Sequence, residues 1–456
     1  MEGLSVLDFP GLHLGNKKRD ARFVSIINNV VSNPSGSVPQ HSKGLYEAKA
    51  TYNLFANKQV KLTSIESAVQ FHGSSQLAGM EKVLVVHDFC FISYNNLKAT
   101  KNLGYLNTMD SRGIISYNSI AVSTDGLPLS LLYQKTFTRP IEDYGKSADR
   151  NVKDFEDKES YHWHKGITAT NTSLKSETHR IHIADRESDI YDLFFFGGEQ
   201  NCDLLLRSIH DRKLDTNDCL WQHLEQTTSM GEVKITIPKD RTTKLTEITV
   251  SIKFKKVTIT RPANSKSKLE SVQLTAILLK QVSPQQEWQK ELVEWQLLTS
   301  LEVLNLVDAL QCVKWYCFRW LIERFHFVLK SGTKIEKLQL EDAIRLQKAI
   351  HIYSIAAMQL MKLTYLARIT PEVSCELVLT TEQWMVLHML TFKNKNVPLP
   401  IEPPTMEEAV KWIGKMGGHL GRKSDGMPGL EVIWRGYRKL MTSMEIYNVM
   451  TKVNSG

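Results

Sequence analysis

The chain has 456 residues, a length that predicts about three domains, or two domains with insertions. Hydrophobic residues make up 42% of the chain and charged residues 23%, which excludes a disordered, collagen-like or coiled-coil protein. The formal net charge of +8 at pH 7 favours a polyanionic partner such as nucleic acid, but it is much smaller than the charge of a histone or a basic tail.

The cysteines and the N-terminal segment indicate the compartment. The 6 cysteines are irregularly spaced and include no Cys-x-x-Cys pair, which argues against a disulfide framework and a structural zinc site. Residues 1–20 lack a basic start followed by an apolar core, and no apolar run reaches the roughly 18 residues that a membrane helix needs. We therefore expect a soluble cytoplasmic protein without membrane contact.

Residues 1–60 have the pattern of short helices. Apolar residues recur at helical spacing in ARFVSIINNVV and, after a Ser/Pro/Gly-rich break, in ATYNLFANKQV. Four cations lie in or just before the first helix, namely Lys17, Lys18, Arg19 and Arg22. They suit contacts to DNA phosphates, and a solvated helix face is the alternative.

Beyond residue 80 the pattern changes to apolar runs bounded by turn signals. The runs are KVLVVHDFCFISY, GIISYNSIAVSTDGLPLSLLY and HRIHIADRESD, and they predict buried or half-buried strands. Helical segments are predicted at 187–197 and 311–330. Strands mixed with helices indicate an α/β core.

Residues 200–300 interrupt this core with alternating strands such as TEITVSIKFKKVTIT, which predict a β-rich insertion. Between residues 243 and 269 the insertion has seven Lys or Arg against the single acid Glu247. Its polar face is therefore a candidate surface for the DNA backbone. From residue 368 to the end the chain is again mostly helical.

Two carboxylates have similar settings in the predicted strands. Asp88 closes the apolar run VLVV and Asp185 closes the run IHIA. We expect each to lie at or near a strand end, where an acid can face a cleft without being buried alone. A turn or helix N-cap residue is the alternative for either one by itself.

The segment VKWYCFRWLIERFHFVL at 313–329 predicts one aromatic helix with much of its circumference buried. At about 100° per residue, Tyr316, Arg319, Glu323 and Lys330 lie within about 60° of one another. A structural ion-pair network is one explanation, although interior ion pairs are rarely justified by stability. A carboxylate flanked by an Arg and a Lys favours a metal-assisted site that also holds a phosphate.

Two aspartates and a glutamate on a helix are hard oxygen ligands, which suits Mg²⁺, with Mn²⁺ as the alternative. Two such ions about 3.5–4 Å apart would activate water and stabilise the leaving oxygen of a phosphodiester. The residues therefore predict a nuclease-type centre with two ions.

The spacing of Tyr316, Arg319, Glu323 and Lys330 also resembles the Tyr-Arg-Glu-Lys signature of bacterial cut-and-paste insertion-sequence transposases. That family has an Asp-Asp-Glu triad and a ribonuclease-H-like core. The resemblance extends over nearly the whole chain, to the branch found on a kanamycin-resistance composite transposon. It rests on the ordered blocks DRESD at 185–189, EWQLLTS at 294–300, YCFRWLIERFHFVLKSG at 316–332 and MGGHLGRKSDGMPGLEVIWRGY at 416–437.

The resemblance implies a domain organisation and a reaction. It implies a helical DNA-binding domain at 1–60, a ribonuclease-H-like mixed sheet with flanking helices at 61–367, and a helical dimerisation domain at 368–456. The β-rich insertion would lie at about 200–300. The implied reaction is nicking of DNA, hairpin formation, hairpin hydrolysis and joining of the 3′ ends to a target.

The resemblance also implies the metal ligands, the partners and the location. Asp88, Asp185 and Glu323 would be the catalytic triad that binds the metal. The partners would be double-stranded DNA, as transposon ends and target, and a second copy of the chain in a paired-end complex. The location would be the bacterial cytoplasm, at the nucleoid.

Further residues would contact the DNA end. Tyr316, Arg319 and Lys330 would hold the 5′ phosphate and the end of the duplex. Trp295 would stack on a flipped base beside Arg207, and such stacking contributes roughly 1–3 kcal/mol per base. A buried core tryptophan is the alternative for Trp295.

Four residues depart from the family pattern. Phe89 and Cys90 follow Asp88 where the family usually has two threonines, Asn16 replaces an acid, and Tyr117 stands where relatives often carry His. None of the four replaces a carboxylate of the triad. A catalytically weakened, transposase-derived DNA-binding protein is the alternative function.

Overall fold

The computed structural model describes residues 9, 11–146, 154–238, 245–263, 265–284, 292–395, 397–422 and 424–454. These residues form a mixed α/β protein built on one ten-stranded sheet. The strands are β1 (Lys82–Ser93), β2 (Gly104–Tyr105), β3 (Arg112–Val122), β4 (Pro128–Phe137), β5 (His179–Ala184), β6 (Cys202–Arg207), β7 (Glu232–Pro238), β8 (Leu245–Thr260), β9 (Ser271–Gln281) and β10 (Glu294–Thr299). The helices are α1 (Lys17–Ser32), α2 (Val38–His41), α3 (Leu45–Ala56), α4 (Leu62–Ser75), α5 (Tyr161–Ser173), α6 (Leu220–Gln226), α7 (Leu306–Cys317), α8 (Trp320–Phe327), α9 (Ala343–Ile369), α10 (Thr381–Phe392), α11 (Met406–Met416) and α12 (Leu430–Asn454).

The sheet has the order β2-β3-β1-β5-β6-β10-β9-β8-β7, and β4 also pairs with β3. Strand β1 is antiparallel to β3 and parallel to β5, and β5 is parallel to β6. The remaining pairs, from β6 through β10 to β7, are antiparallel. The predicted β-rich insertion is thus a continuation of the core sheet, because β10 pairs with both β6 and β9.

The centre of the sheet is buried on both faces. Residues Val83 to Val86 of β1 are fully buried in succession, as expected for a strand with neighbours on both edges and helices over its faces. Helix α4 packs closely on β4 at Gly73, where an added Cβ would lie 1.9 Å from the carbonyl oxygen of Leu131. A glycine is therefore required at this contact.

Helix α9 is the central helix of the molecule. Its residues from Leu346 to Leu363 are buried on almost every side, and it contacts α1, α3 and α4 as well as α8, α11 and α12. A helix that is apolar around its circumference must lie inside a core. The N-terminal and C-terminal helices therefore share one hydrophobic core with the sheet.

Three expectations about local structure need correction. Asp88 lies in the middle of β1, because β3 pairs with β1 from Leu84 as far as Ser93. The segment 187–197 is helical as predicted, but it forms two 3-10 helices, Arg186–Ser188 and the eight-residue Tyr191–Gly198, rather than one α-helix. The aromatic helix is broken into α7, α8 and a π-helical turn at Val328–Gly332.

Across the described ranges, every helix is too short or too polar to traverse a lipid bilayer.

Candidate active site

The two aspartates come from adjacent parallel strands. Asp88 is paired with Asn118 of β3, and Asp185 is the first residue after β5. The register pairs Val86 with Ile183, so two further steps along both strands bring Asp88 beside Asp185. Asp185 also caps the following 3-10 turn, since its Oδ1 accepts the Glu187 N–H at 2.9 Å. Asp185 therefore both caps this turn and lies beside Asp88.

Asp88 lies within electrostatic reach of both other carboxylates. Its side chain is only 16% exposed, and burial together with the charge of Asp185 raises its pKa to about 8. Arg319 opposes this rise, and Glu323 adds to it. Three carboxylates and one guanidinium therefore form a single electrostatic cluster.

Arg319 holds the third carboxylate. It lies at the break between α7 and α8, and its Nη2 donates to Oε1 of Glu323 at 2.5 Å. Burial disfavours the charged guanidinium, but Tyr316 and Glu323 outweigh burial and raise the pKa of Arg319. Arg319 is thus a permanent cation next to the triad, and Glu323 is half-buried against it.

Tyr316 connects this cluster to the end of β10. Tyr316 is 4% exposed, and its ring lies edge-on to Trp295 with the ring centroids 5.1 Å apart. Arg207, the last residue of β6, interacts with the Tyr316 hydroxyl and donates to the Glu294 carbonyl at 3.2 Å. Trp295 is half-buried, so one part of the indole packs on the core and another part reaches the surface.

Lys330 lies on the π-helical turn rather than on a straight continuation of α8. Its charge acts on Cys90 and His326, which places it on the β1 side of the cluster. The four signature residues therefore surround the site. Their common face was predicted from one continuous regular helix, and the structure does not have that helix.

His326 is a site residue that the sequence reasoning missed. Its Nε2 accepts from the Asn118 side-chain amide at 3.0 Å, so Nδ1 carries the proton. That Nδ1 lies 4.0 Å from Oδ2 of Asp88. Burial lowers the pKa of His326 to about 3, so the imidazole is neutral. The spacing of three residues after Glu323, on the same helix, was the available signal.

The donor chemistry of the cluster fits Mg²⁺, because all three acids offer carboxylate oxygens and their mutual repulsion is relieved by added positive charge. Among the described residues, however, no three His, Cys, Asp or Glu side chains are grouped closely enough to hold a metal ion. Glu323 is engaged by Arg319 in this conformation. The three carboxylates are therefore neighbours, but in this conformation they are not arranged as a metal site.

The four N-terminal cations fall into two pairs. Lys17 and Lys18 are exposed in the first turn of α1. Arg19 donates to the Leu14 carbonyl at 3.2 Å and to the Gln59 side chain, and Arg22 lies 3.6 Å from Glu47. Among these four cations in the described residues, only the side chains of Lys17 and Lys18 are therefore without a hydrogen bond or salt bridge.

The basic face of β8 and β9 is partly neutralised. Lys253 and Lys280 both pair with Glu225, whereas Lys255 and Lys256 are exposed and have no salt bridge to any described residue. Lys244 lies outside the described residues. The candidate DNA-backbone surface is therefore smaller than the count of seven cations suggested.

Two protein-family models match the two ends of the chain. Residues 5–60 match the family model described as transposase DNA-binding, and residues 355–450 match the model described as the Tn5 transposase dimerisation domain. The two ends of the chain are thus similar to a transposase DNA-binding domain and to a Tn5 transposase dimerisation domain.

A solved structure was also found by comparison of folds. It is the cryo-EM structure of a piggyBac transposase synaptic complex with hairpin DNA, with 9% sequence identity and a TM-score of 0.36, covering 97% of this chain and 78% of that chain.

The departures from the transposase pattern divide between the two faces of the sheet. Phe89 is paired with Tyr117 across β1 and β3, and their rings make an edge-to-face contact at 5.0 Å. Because side chains alternate along a strand, these two residues lie on the face opposite Asp88. Only Cys90 shares the face of Asp88, where it is buried.

Asn16 performs a local structural role. It is the N-cap of α1, and its Oδ1 accepts the Arg19 N–H at 3.0 Å. Asparagine and aspartate are equally good N-cap residues, so the replacement of the acid leaves the start of this helix intact.

Proposed function

We propose that this chain is a DNA transposase that binds terminal inverted repeats, excises its element by metal-dependent phosphodiester hydrolysis through a hairpin, and joins the 3′ ends to target DNA. The observation that carries the proposal is the convergence of Asp88, Asp185 and Glu323 around Arg319. The two ends of the chain add the matches to transposase DNA-binding and dimerisation models.

The strand order supports a ribonuclease-H-like core at the centre of the sheet. Strands β4, β3 and β1 form an antiparallel unit, and β5 and β6 continue it in parallel with β1. Asp88 and Asp185 belong to neighbouring central strands, and Glu323 approaches from a helix packed on β1.

Asp88, Asp185 and Glu323 would hold Mg²⁺, or Mn²⁺ in its place. Bound ions would activate water and stabilise the leaving oxygen. Arg319 would exchange its bond to Glu323 for one to a DNA phosphate, which guanidinium groups bind in bidentate fashion. The carboxylate of Glu323 would then be free to turn toward Asp88 and Asp185.

Tyr316, Trp295 and Arg207 would receive the DNA end. The half-buried Trp295 offers a ring on which a flipped base can stack, and Tyr316 fixes that ring by its edge-to-face contact. Arg207 is anchored by its bond to the Glu294 carbonyl. Lys330 would add a further phosphate contact on the β1 side.

Lys17 and Lys18 would contact the phosphates of the terminal repeat. Two cations in the first turn of a helix oppose the helix dipole, and an anion bound at that terminus relieves the conflict. Neutralising Lys17 by Gln should lower the salt slope of DNA binding by about one unit.

Helix α12 supports the proposal of a homodimer. Its residues Ile446, Val449, Met450 and Val453 are 60%, 62%, 60% and 74% exposed. Their spacing of three and four residues places them on one face of the helix. An exposed apolar stripe of this kind is typical of a protein–protein interface, and most of it lies within the matched dimerisation domain.

The test is cleavage of DNA that carries the cognate inverted repeats, with and without Mg²⁺. The unaltered protein should nick the repeat ends and form hairpins only with metal, and Glu323→Gln should abolish both products while leaving binding intact. Glu302→Gln, which changes an exposed glutamate outside the site, is the matched control. Specific binding by the unaltered protein without any cleavage would instead favour the catalytically weakened, DNA-binding alternative.

A further inference from the structure

A cavity of about 620 Å³ lies beside α8, the helix that carries Glu323. Leu321 and Arg324 of α8 line it. Glu323 of the same helix and the adjoining Arg319 act on Asp88 and lie about 100–200° away around the helix axis. The opposite wall is the last turn of α9, with Tyr365 and Arg368. The cavity is therefore separate from the candidate active site, although one helix borders both.

The walls of the cavity are mostly apolar and aromatic. Phe318 and Trp320 form one side together with Leu310 and Val313 of α7. The turn between β3 and β4 closes against Phe318 at Gly126, which has φ of +92° and where a Cβ would lie 2.6 Å from the ring. A volume of this size and an apolar lining are typical of small-molecule sites.

Arg324 is the unusual polar group of this cavity. It is 7% exposed, and its buried Nε has no hydrogen-bond partner. The guanidinium stacks on Phe327 at 4.7 Å and interacts with the Tyr365 hydroxyl. A buried cation without a carboxylate partner is costly, so this position favours an anionic partner.

The surrounding charges increase the need for an anion. Arg368 lies near enough to act on Arg324, and it is held over Tyr365 at 5.5 Å and by a 3.2 Å bond to the Pro428 carbonyl. Lys314 adds a third cation at the rim. Neither arginine has a salt bridge to a residue in the described ranges, and the acid at the rim, Asp125, is exposed to solvent.

We propose that this cavity binds an organic anion with an apolar body, whose carboxylate, sulfonate or phosphate group pairs with Arg324 and Arg368 while its body contacts Phe318 and Trp320. Because α8 also carries Glu323, and the cavity wall includes the end of α9 that leads into the dimerisation region, an occupied cavity would fix these two helices relative to each other.

The test uses two probes that share a chain and a quenching bromine and differ in charge, 11-bromoundecanoate and 11-bromoundecan-1-ol. Bromine quenches a tryptophan that it contacts, so the carboxylate should quench part of the emission of the full-length protein saturably. The alcohol should bind at least about tenfold more weakly, because hydrogen bonds to charged groups are the stronger ones. The assay needs neither DNA nor metal, so its result is independent of the proposed transposase activity.

Two variants locate the site, and each has a matched control. Trp320→Phe should remove the saturable quenching, whereas Trp221→Phe, which changes a tryptophan that is 41% exposed and outside the cavity lining, should retain it. Arg324→Gln should bind the two probes equally, and Arg435→Gln, on the exposed side of α12, should keep the preference for the carboxylate. If Arg324→Gln does not fold, Arg368→Gln is measured in its place and should weaken the preference.

The proposal is overturned if the carboxylate causes no saturable quenching, if the alcohol binds as tightly as the carboxylate, or if Trp320→Phe is quenched like the unaltered protein. It is also overturned if a folded Arg324→Gln, or Arg368→Gln where that variant replaces it, discriminates between the probes as the unaltered protein does.

Discussion

Substituting Asn for Asp189 should strongly destabilise the turn that carries Asp185. Asp189 is 4% exposed and Arg212 is 8% exposed. Arg212 donates to Oδ1 of Asp189 from Nε at 3.0 Å and from Nη2 at 2.5 Å. Oδ2 accepts from the backbone N–H groups of Ile209 and His210 at 2.8 and 3.0 Å. The pair thus ties the Asp185 turn to the chain that follows β6.

The expected loss follows from these contacts. Removing one partner of a buried ion pair costs about 3–5 kcal/mol, because it leaves the other charge uncompensated. An asparagine in place of Asp189 would also point an amide donor at other donors, either toward Arg212 or toward the two backbone N–H groups. Since whole proteins are stable by only about 5–15 kcal/mol, the change is large enough to measure.

The assay is urea unfolding followed by intrinsic fluorescence, with the midpoint as the readout. Asp215→Asn, which changes an exposed aspartate on the same connecting segment, should stay within about 0.5 kcal/mol of the unaltered protein. Adding Arg212→Met to Asp189→Asn should recover part of the loss, because it removes the unpaired charge. The reasoning is refuted if Asp189→Asn costs less than about 1 kcal/mol, or if the double variant is no more stable than the single one.

Three further results are expected. His87 and His182 are buried and joined by a 2.9 Å hydrogen bond, and burial lowers the pKa of His87 to about 3 and that of His182 well below its usual range. These two histidines therefore bind fewer protons in the folded state than in the unfolded state below pH 6.5. Between pH 6.5 and pH 5 their contribution to the free energy of unfolding should fall by up to about 1.4 kcal/mol per pH unit for each histidine, and the thermal midpoint should fall with it; a midpoint that is constant over this range would contradict the assignment. Ile446→Asp should shift the protein from dimer to monomer in sedimentation velocity, whereas Ile401→Asp, at an exposed loop residue, should not; a dimer that survives the first change would count against the α12 face. Phe89→Thr and Tyr117→His, measured singly and together by urea unfolding, should be coupled by about 0.5–1.5 kcal/mol because the two rings pack on each other, and additive effects would show that they do not act as a pair.

The coupling of Phe89 and Tyr117 bears on whether the site is weakened. The two residues, which depart from the pattern of the family that the sequence resembles, lie on the face of the sheet that is directed away from Asp88. Restoring a threonine at position 89 alone should therefore lower stability by disturbing the packing with Tyr117 and Trp163. Of these departures only Cys90 lies near the triad. Replacing it with the threonine that is usual in the family, Cys90→Thr, is therefore the substitution that tests whether this position weakens activity.

The sequence by itself determined the mixed α/β class and the places of the central strands, and it predicted a triad of Asp88, Asp185 and Glu323. These features depend on local pattern: apolar runs for β1 and β5, an acid after each run, and the spacing of Tyr316, Arg319 and Glu323. Local pattern is preserved in the fold because the backbone periods of helix and strand fix which side chains share a face.

The tertiary structure decided where each element ends and which charges are paired. Strand β1 extends past Asp88 because β3 supplies hydrogen-bonding partners as far as Ser93, and the break before α8 has no sequence signal as strong as proline or glycine. Arg19 is occupied by Gln59, a residue distant in the sequence, whereas Lys17 is not. Contacts between residues far apart in the chain form only when the core packs, so a local pattern carries no record of them.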